Sequence, residues 1–187
     1  MPLVTSSATF SWLNHDSWSE AYVGTRKLAY ELLPSPPSSV KAVDGALCQL
    51  ALIGANHLME IALYKILQPH AKATGTTSSL TEKKLAEASY YLMLTKWLSE
   101  IAGNEANLTI EPLLSTERLR HRRNDTVHKS SALASVVMAR SALYSAVQGT
   151  YALYALSGTK FPYEPFMQKY PLHEEPWFSS IKFPGQL

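Results

Sequence analysis

The sequence predicts an all-α protein: an up-and-down bundle of four to five helices over residues 1–158, followed by an extended aromatic and proline-rich arm over 159–187. Three observations support this fold class. Apolar residues recur every three or four positions along most of the chain, as they do on one face of a helix. No stretch alternates apolar and polar residues for long enough to favour a strand. The composition, 46% hydrophobic and 17% charged, supplies a sizeable core and differs from that of a disordered chain.

Capping residues and helix breakers set the expected boundaries. A first helix begins at a capping box that starts with Ser17 and stops before the prolines at Pro34. A second helix ends at Pro69, a third opens at a further capping box that starts with Ser79, and the last one ends at Gly158. The predicted helices span residues 17–33, 39–68, 79–102, 110–121 and 126–156.

The chain is predicted to be cytoplasmic and to have no contact with a membrane. Its first residues, MPLVTSSATFSWL, lack the basic start and apolar block of a secretory signal. Its most apolar stretch is interrupted by Gln49, Asn56 and Glu60, so we expect a core helix there rather than a membrane span. The single cysteine, Cys48, excludes an intrachain disulfide and lies in the apolar run ALCQLALIG, which predicts a buried thiol.

The arm differs in composition from the bundle. It holds five of the eleven prolines and seven aromatic residues. Disordered segments are poor in aromatic residues. We therefore expect the arm to pack, either on its own bundle or on a partner subunit.

A strongly basic segment, RLRHRRNDTVHKS (118–130), spans the junction between the last two predicted core helices. From Glu117 to Lys129, five Lys or Arg residues stand against two carboxylates, a local charge of +3 where the whole chain carries +2. The small net charge alone predicts no nucleic-acid partner. The segment is either the centre of a site or a solvated turn whose cations complement the negative pole of the preceding helix.

Within this segment, Arg123 and His128 converge only if the helix is interrupted. Five residues on a continuous helix correspond to about 500°, which leaves the two side chains about 140° apart around the axis. A helix that begins between them would bring both toward one opening. Asn124 and Asp125 are favoured first residues of such a helix, and the predicted start of the last helix at residue 126 rests on them.

The predicted second helix carries a polar stripe within its apolar body. Gln49, Asn56 and Glu60 are spaced seven and four residues apart, so they share one side of the helix. Polar groups aligned inside a bundle need partners or line a cavity. We expect Glu60 either to pair with a basic residue, such as one from the 118–130 segment, or to support a site. The apolar stripe expected to be buried includes Val43, Leu50 and Leu58.

These features together resemble the HEPN superfamily over about residues 17–156. One point of resemblance is the acidic residue, Glu60, in a long second helix of an all-helical bundle. The other is Arg-Asn-x-x-x-His, formed by Arg123, Asn124 and His128, before the last core helix. Family members with this motif cut RNA without a metal and act as dimers whose motifs face each other. Other members lack activity and serve as nucleotide-binding or complex-forming modules, and several pair with a nucleotidyltransferase antitoxin.

The resemblance implies a metal-independent endoribonuclease that acts as a homodimer and cuts RNA by attack of the 2′-hydroxyl. His128 would transfer protons, since imidazole titrates near neutral pH, and Arg123 would hold phosphate oxygens with its planar fork. Asn124 and Asp125 would cap the helix or orient His128. Two subunits would supply the two histidines that an acid and a base require. The residues expected to hold the RNA backbone are Arg118, Arg120, Arg122 and Lys129.

The alternative is a non-catalytic HEPN-like module that binds nucleotide, RNA or a protein partner such as an antitoxin. The modest net charge and the long aromatic arm favour it. No cofactor is predicted, because the chain has no Gly-rich phosphate loop, no G-x-S-x-G and no H-E-x-x-H motif. No metal is predicted either, since His57-x-x-Glu60 is half of a carboxylate di-metal pattern and has no second copy.

Overall fold

The computed structural model describes residues 16–34, 42–73, 79–103, 105–128 and 133–182. Within these residues the chain is all-helical, with seven helices, one 3₁₀ turn and no strand. The all-α prediction is confirmed; the described residues form seven helices, where a bundle of four to five helices and an arm were predicted.

Four long helices form the bundle, and shorter ones connect or cover it. The first, α1, consists of Ser17–Lys27 and a π-helical turn at Leu28–Leu32. The next elements are α2 at Ala42–Lys72 and α3 at Glu82–Ala86. Helix α4 combines Tyr90–Leu92, a π-helical turn at Met93–Trp97, and Leu98–Ala102. The remaining elements are α5 at Leu113–His128, α6 at Val136–Leu156, α7 at Glu164–Lys169 and the 3₁₀ turn at Phe178–Ser180.

Side-chain caps explain where several helices begin. The residues before α1, α3, α4 and α6 each accept a hydrogen bond from a backbone N–H two or three residues ahead. These capping residues are Asp16, Thr81, Ser89 and Ser135. Gly158 follows α6 at φ 68°, in the left-handed region that favours glycine, which confirms the predicted end of this helix.

Two predicted helices differ in extent. The predicted helix over 79–102 is divided into α3 and α4, because the hydroxyl of Ser89 accepts a backbone N–H at 3.3 Å and starts a new helix there. Helix α2 runs to Lys72, past the predicted stop at Pro69. Proline lacks an N–H, but its carbonyl still accepts, and the N–H of Ala73 donates to Pro69 O at 3.1 Å.

The largest correction concerns the basic segment. The predicted break at Asn124 and Asp125 is wrong, because α5 continues through both residues to His128. The following helix begins only at Val136, where Ser135 is the capping residue. An N-cap at Asn124 or Asp125 would stabilise a new helix by only about 1 kcal/mol. A break inside α5 would cost more, because several backbone hydrogen bonds would be lost.

Helix α2 is the centre of the bundle and packs mainly against α6, and then against α1 and α5. Its segment Val43–Lys72 is long and apolar enough to cross a membrane by length and composition, and half of its most apolar window is buried inside the protein. A core helix of a bundle has the same character. Cys48 is fully buried on α2, as predicted, and burial raises the pKa of its thiol to about 11.

The described part of the arm, residues 159–182, packs on its own bundle. Phe161, Tyr163 and Phe178 are buried, and the ring of Tyr163 stacks on Trp18 of α1 with 4.2 Å between centroids. Polar contacts add to this packing, since the N–H of Phe178 donates to Ser145 Oγ on α6 at 3.0 Å. The arm is not extended throughout, because it contains α7 and the 3₁₀ turn.

Candidate functional site

A cleft of about 720 Å³ lies between α2, α4 and α5. This volume is typical of small-ligand sites, which enclose roughly 300–1,000 Å³. Its polar and aromatic lining includes Asn56, His57, Glu60 and Lys65 of α2, Tyr90 and Tyr91 of α4, and Arg120, Arg123 and Asn124 of α5. The structure thus brings four residues of the sequence-predicted site into one cleft: Glu60, Arg120, Arg123 and Asn124.

Glu60 lies on the α2 wall and is held by its own helix. Its Oε1 accepts a hydrogen bond from Asn56 Nδ2 at 2.8 Å, and its Oε2 lies 3.4 Å from His57 Nδ1. The hydrogen bond with His57 lowers the pKa of the Glu60 carboxyl, burial opposes this, and the positive charge of Arg123 lowers it further. Glu60 is therefore an ionised carboxylate at neutral pH.

Helical spacing explains the α5 wall. Arg120, Arg123 and Asn124 occupy positions i, i+3 and i+4, which share one face of a helix. Arg123 Nη1 donates to Asn124 Oδ1 at 3.2 Å, whereas its buried Nε has no hydrogen-bond partner among the described residues. A buried N–H without a partner costs roughly 1–3 kcal/mol. Arg123 also lines the cleft, where its positive charge can attract an acceptor ligand such as a phosphate oxygen.

Arg120 is already engaged by Glu117 on the same helix. Its Nε and Nη2 donate to the two carboxylate oxygens at 2.9 and 2.6 Å, and His121 Nε2 lies 3.0 Å from one of them. The hydrogen bonds from Arg120 lower the pKa of the Glu117 carboxyl, and burial opposes this. The charge of Arg120 is thus largely compensated before any ligand binds.

Helix α4 contributes an aromatic wall. Tyr90 is buried, which raises its pKa, whereas Tyr91 is 51% exposed. The guanidinium of Arg120 lies 5.4 Å from the centroid of the Tyr91 ring. An exposed ring of this kind is a platform on which a nucleobase can stack. Elsewhere in the cleft, Lys65 pairs with Asp16, the capping residue of α1.

His128 does not line the cleft, although Asn124 does. It is exposed in the last turn of α5. Because α5 is continuous, His128 lies about 140° from Arg123 around the axis, but only about 40° from Asn124 and one turn farther along. The predicted convergence of Arg123 and His128 at one opening of a single chain is therefore wrong. Asp125 also lies outside the cleft lining, and Lys129 lies outside the described residues.

Two predicted RNA contacts lie on the far side of α5. Arg118 and Arg122 are each two residues from Arg120, or about 160° around the helix. Arg118 Nη1 donates to Ser179 O in the arm, and Arg122 Nη2 donates to Leu133 O before α6. Both arginines therefore connect α5 to other parts of the fold, namely the arm and the segment before α6.

Sequence reasoning missed two side-chain pairs of the site. His57 with Glu60, and Glu117 with Arg120, are each three residues apart on one helix. That spacing places two side chains next to each other on a helix and was the signal available in the sequence. Among the described residues, no three His, Cys, Asp or Glu side chains are grouped as a metal site requires.

The chain matches no protein-family model, no curated protein and no solved structure. Its resemblance to the HEPN superfamily therefore stays a prediction that rests on Glu60, Arg123, Asn124 and His128.

Proposed function

We propose that the cleft binds RNA and that the protein is a HEPN-like, metal-independent endoribonuclease, cytoplasmic and homodimeric. The observation that carries this proposal is Arg123. Its side chain lines a cleft that also holds Asn124 and the ionised Glu60, and it donates a hydrogen bond to Asn124 there. A phosphodiester offers acceptor oxygens that fit a planar guanidinium, and the resulting charge-assisted hydrogen bonds are the strong ones.

In this proposal Arg123 holds the scissile phosphate and Asn124 keeps its guanidinium in place. His128 transfers a proton from its exposed position at the end of α5. Since His128 lies outside the cleft of its own chain, the α5 ends of two copies meet about a two-fold axis and each His128 serves the facing cleft. Arg120 joins the phosphate contacts once Glu117 releases it.

A second candidate is a nucleotide-binding module without activity. The cleft has the volume of a nucleotide site, and two of its cations, Arg120 and Lys65, already pair with carboxylates. This charge balance suits a small ligand with one or two phosphates better than a long RNA backbone. The nucleobase of the ligand would then stack on the exposed ring of Tyr91.

The test uses purified protein, total cellular RNA and a fluorescently labelled RNA of mixed sequence, in the presence of a chelator. We expect cleavage that leaves 2′,3′-cyclic phosphate ends. Arg123→Ala removes a donor to the transition-state charge and should slow cleavage by about 10²–10³-fold. His128→Ala removes a proton-transfer group and should slow it by about 10²–10⁴-fold.

Arg118→Ala is the matched control, because Arg118 lies on the opposite side of the same helix and joins the arm. It should retain cleavage. Full activity in both Arg123→Ala and His128→Ala contradicts the nuclease proposal. RNA or nucleotide binding that needs Arg123 but yields no products supports the second candidate instead.

A further inference from the structure

Among the described residues, His57 is the histidine that lines the cleft, and neither proposed function uses it. It belongs to α2, one turn before Glu60, and its side chain is 57% exposed. Its Nδ1 lies 3.4 Å from Glu60 Oε2, while the other oxygen of that carboxylate accepts from Asn56 at 2.8 Å. Catalytic hydrogen bonds are often this long before substrate binds and tighten in the complex. A proton on Nδ1, shared with Glu60, leaves Nε2 as the acceptor toward a ligand.

We propose that His57 is the general base of the cleft and removes the 2′-hydroxyl proton of an RNA strand whose phosphate is bound by Arg123. Glu60 fixes the orientation of the imidazole and stabilises the positive charge that the ring acquires. This inference rests on the proposed nuclease function, and it supplies the second proton-transfer group that His128 alone does not provide.

The reaction balances with the groups in the chain. The 2′ oxygen loses its proton to His57 Nε2 and forms a bond to phosphorus. The bond between phosphorus and the 5′ oxygen breaks, and the leaving oxygen takes a proton from protonated His128, the acid in this scheme. The products are a 2′,3′-cyclic phosphate and a 5′-hydroxyl end. Proton exchange with water returns both histidines to their starting states.

Charged and titratable groups surround His57 in the cleft. The titratable and charged groups that share the cleft with it are Glu60, Tyr64 and Lys65 of α2, Tyr90 and Tyr91 of α4, and Arg120 and Arg123 of α5. Lys65 and Arg120 pair with other carboxylates, Asp16 and Glu117. Glu60 is thus the carboxylate in contact with the imidazole, and this contact at Nδ1 orients the ring.

The experiment compares wild-type protein, His57→Ala and His57→Gln in the RNA cleavage assay with chelator. Glutamine can still donate a hydrogen bond to Glu60 but cannot accept the proton. We expect both variants to lose about 10²–10⁴-fold in rate while keeping the wild-type circular dichroism spectrum. Added imidazole should restore part of the activity of His57→Ala. The control is His70→Ala, a histidine in the last turn of the same helix that does not line the cleft.

The pH dependence of kcat/KM separates the two histidines. Loss of a base removes the rise in rate with pH on the acidic side of the profile, whereas loss of an acid removes the fall on the basic side. His57→Ala should therefore lose the acidic limb, and His128→Ala should keep it.

Each outcome decides between the two proposals. If wild-type protein cuts RNA and both His57 variants stay within about threefold of it, His57 is not the base, and the nuclease proposal survives. Activity in His57→Gln but not in His57→Ala also overturns the inference, because it shows that only the hydrogen bond to Glu60 matters. If wild-type protein leaves both RNAs intact, the nuclease function and the base assignment fail together.

Discussion

Phe178 anchors the arm to the bundle, and its replacement by alanine should destabilise the whole protein. The side chain is 0% exposed in a turn that packs against α5 and α6. Burial of about 150 Å² of aromatic surface at roughly 25 cal/mol per Å² is worth about 4 kcal/mol. This value lies within the range of about 3–5 kcal/mol observed for buried Phe→Ala changes. Phe178→Ala should therefore remove about a quarter or more of a typical unfolding free energy of 5–15 kcal/mol.

Urea unfolding, followed by circular dichroism, measures this loss. Phe178→Leu refills most of the space and should cost less than about 1.5 kcal/mol. Phe166→Ala is the matched control, since Phe166 lies in the same arm on α7 but is only partly buried, and it should cost less than half as much. A loss below about 1 kcal/mol in Phe178→Ala would refute the reasoning, because it would mean that the bundle is complete without the arm.

Two further predictions concern α5 and its neighbours. A Cβ on Gly149 of α6 would lie 2.3 Å from a methyl of α5, so Gly149→Ala should lower the unfolding free energy by about 1–3 kcal/mol in urea titrations. Gly24→Ala on α1, where a Cβ meets nothing within 4 Å, should raise it by about 0.5–1 kcal/mol, and equal effects of the two changes would contradict this reasoning. Glu117→Gln removes the two-pronged pair with Arg120 and should cost about 1–3 kcal/mol at pH 7. The folded state lowers the pKa of Glu117, so the stabilisation by its carboxylate is fully present above the unfolded pKa of about 4.3. This stabilisation is lost as the pH falls through the folded pKa. The difference in unfolding free energy between wild type and variant should therefore disappear at low pH. A difference that persists at low pH would show that packing, rather than charge, is responsible.

Periodicity predicted the helical class but not every buried face. Val43 and Leu50 of α2 belonged to the predicted buried stripe and are 69% and 52% exposed, whereas Leu58 is buried as expected. Helix α2 is apolar on most of its sides, so a spacing of three or four residues does not identify one face. The face that becomes buried is set by the packing of α6 and α1, which lie far away in the sequence.

The contacts of the site that form within a single helix could be predicted from the sequence. Asn56 and Glu60 meet because they are four residues apart on α2, and Arg120 and Arg123 share a face because they are three residues apart on α5. The position of His128 was not predictable, since it depends on where α5 ends. Local N-cap preference favoured a break at Asn124, and continued backbone hydrogen bonding overrides a preference of about 1 kcal/mol.

The contact between α1 and the arm has a consequence for how the protein is made. The hydroxyl of Tyr22 donates to the carbonyl of Tyr170 across 148 residues of sequence, in the same aromatic cluster in which Trp18 stacks on Tyr163. At translation rates of about 5–20 residues per second, the ribosome needs roughly 7–30 s to synthesise the chain between these two tyrosines. During that interval the aromatic face of α1 lacks its cover and is a target for chaperones or for self-association. A nascent chain halted before the arm should therefore bind a hydrophobic chaperone that the completed chain releases.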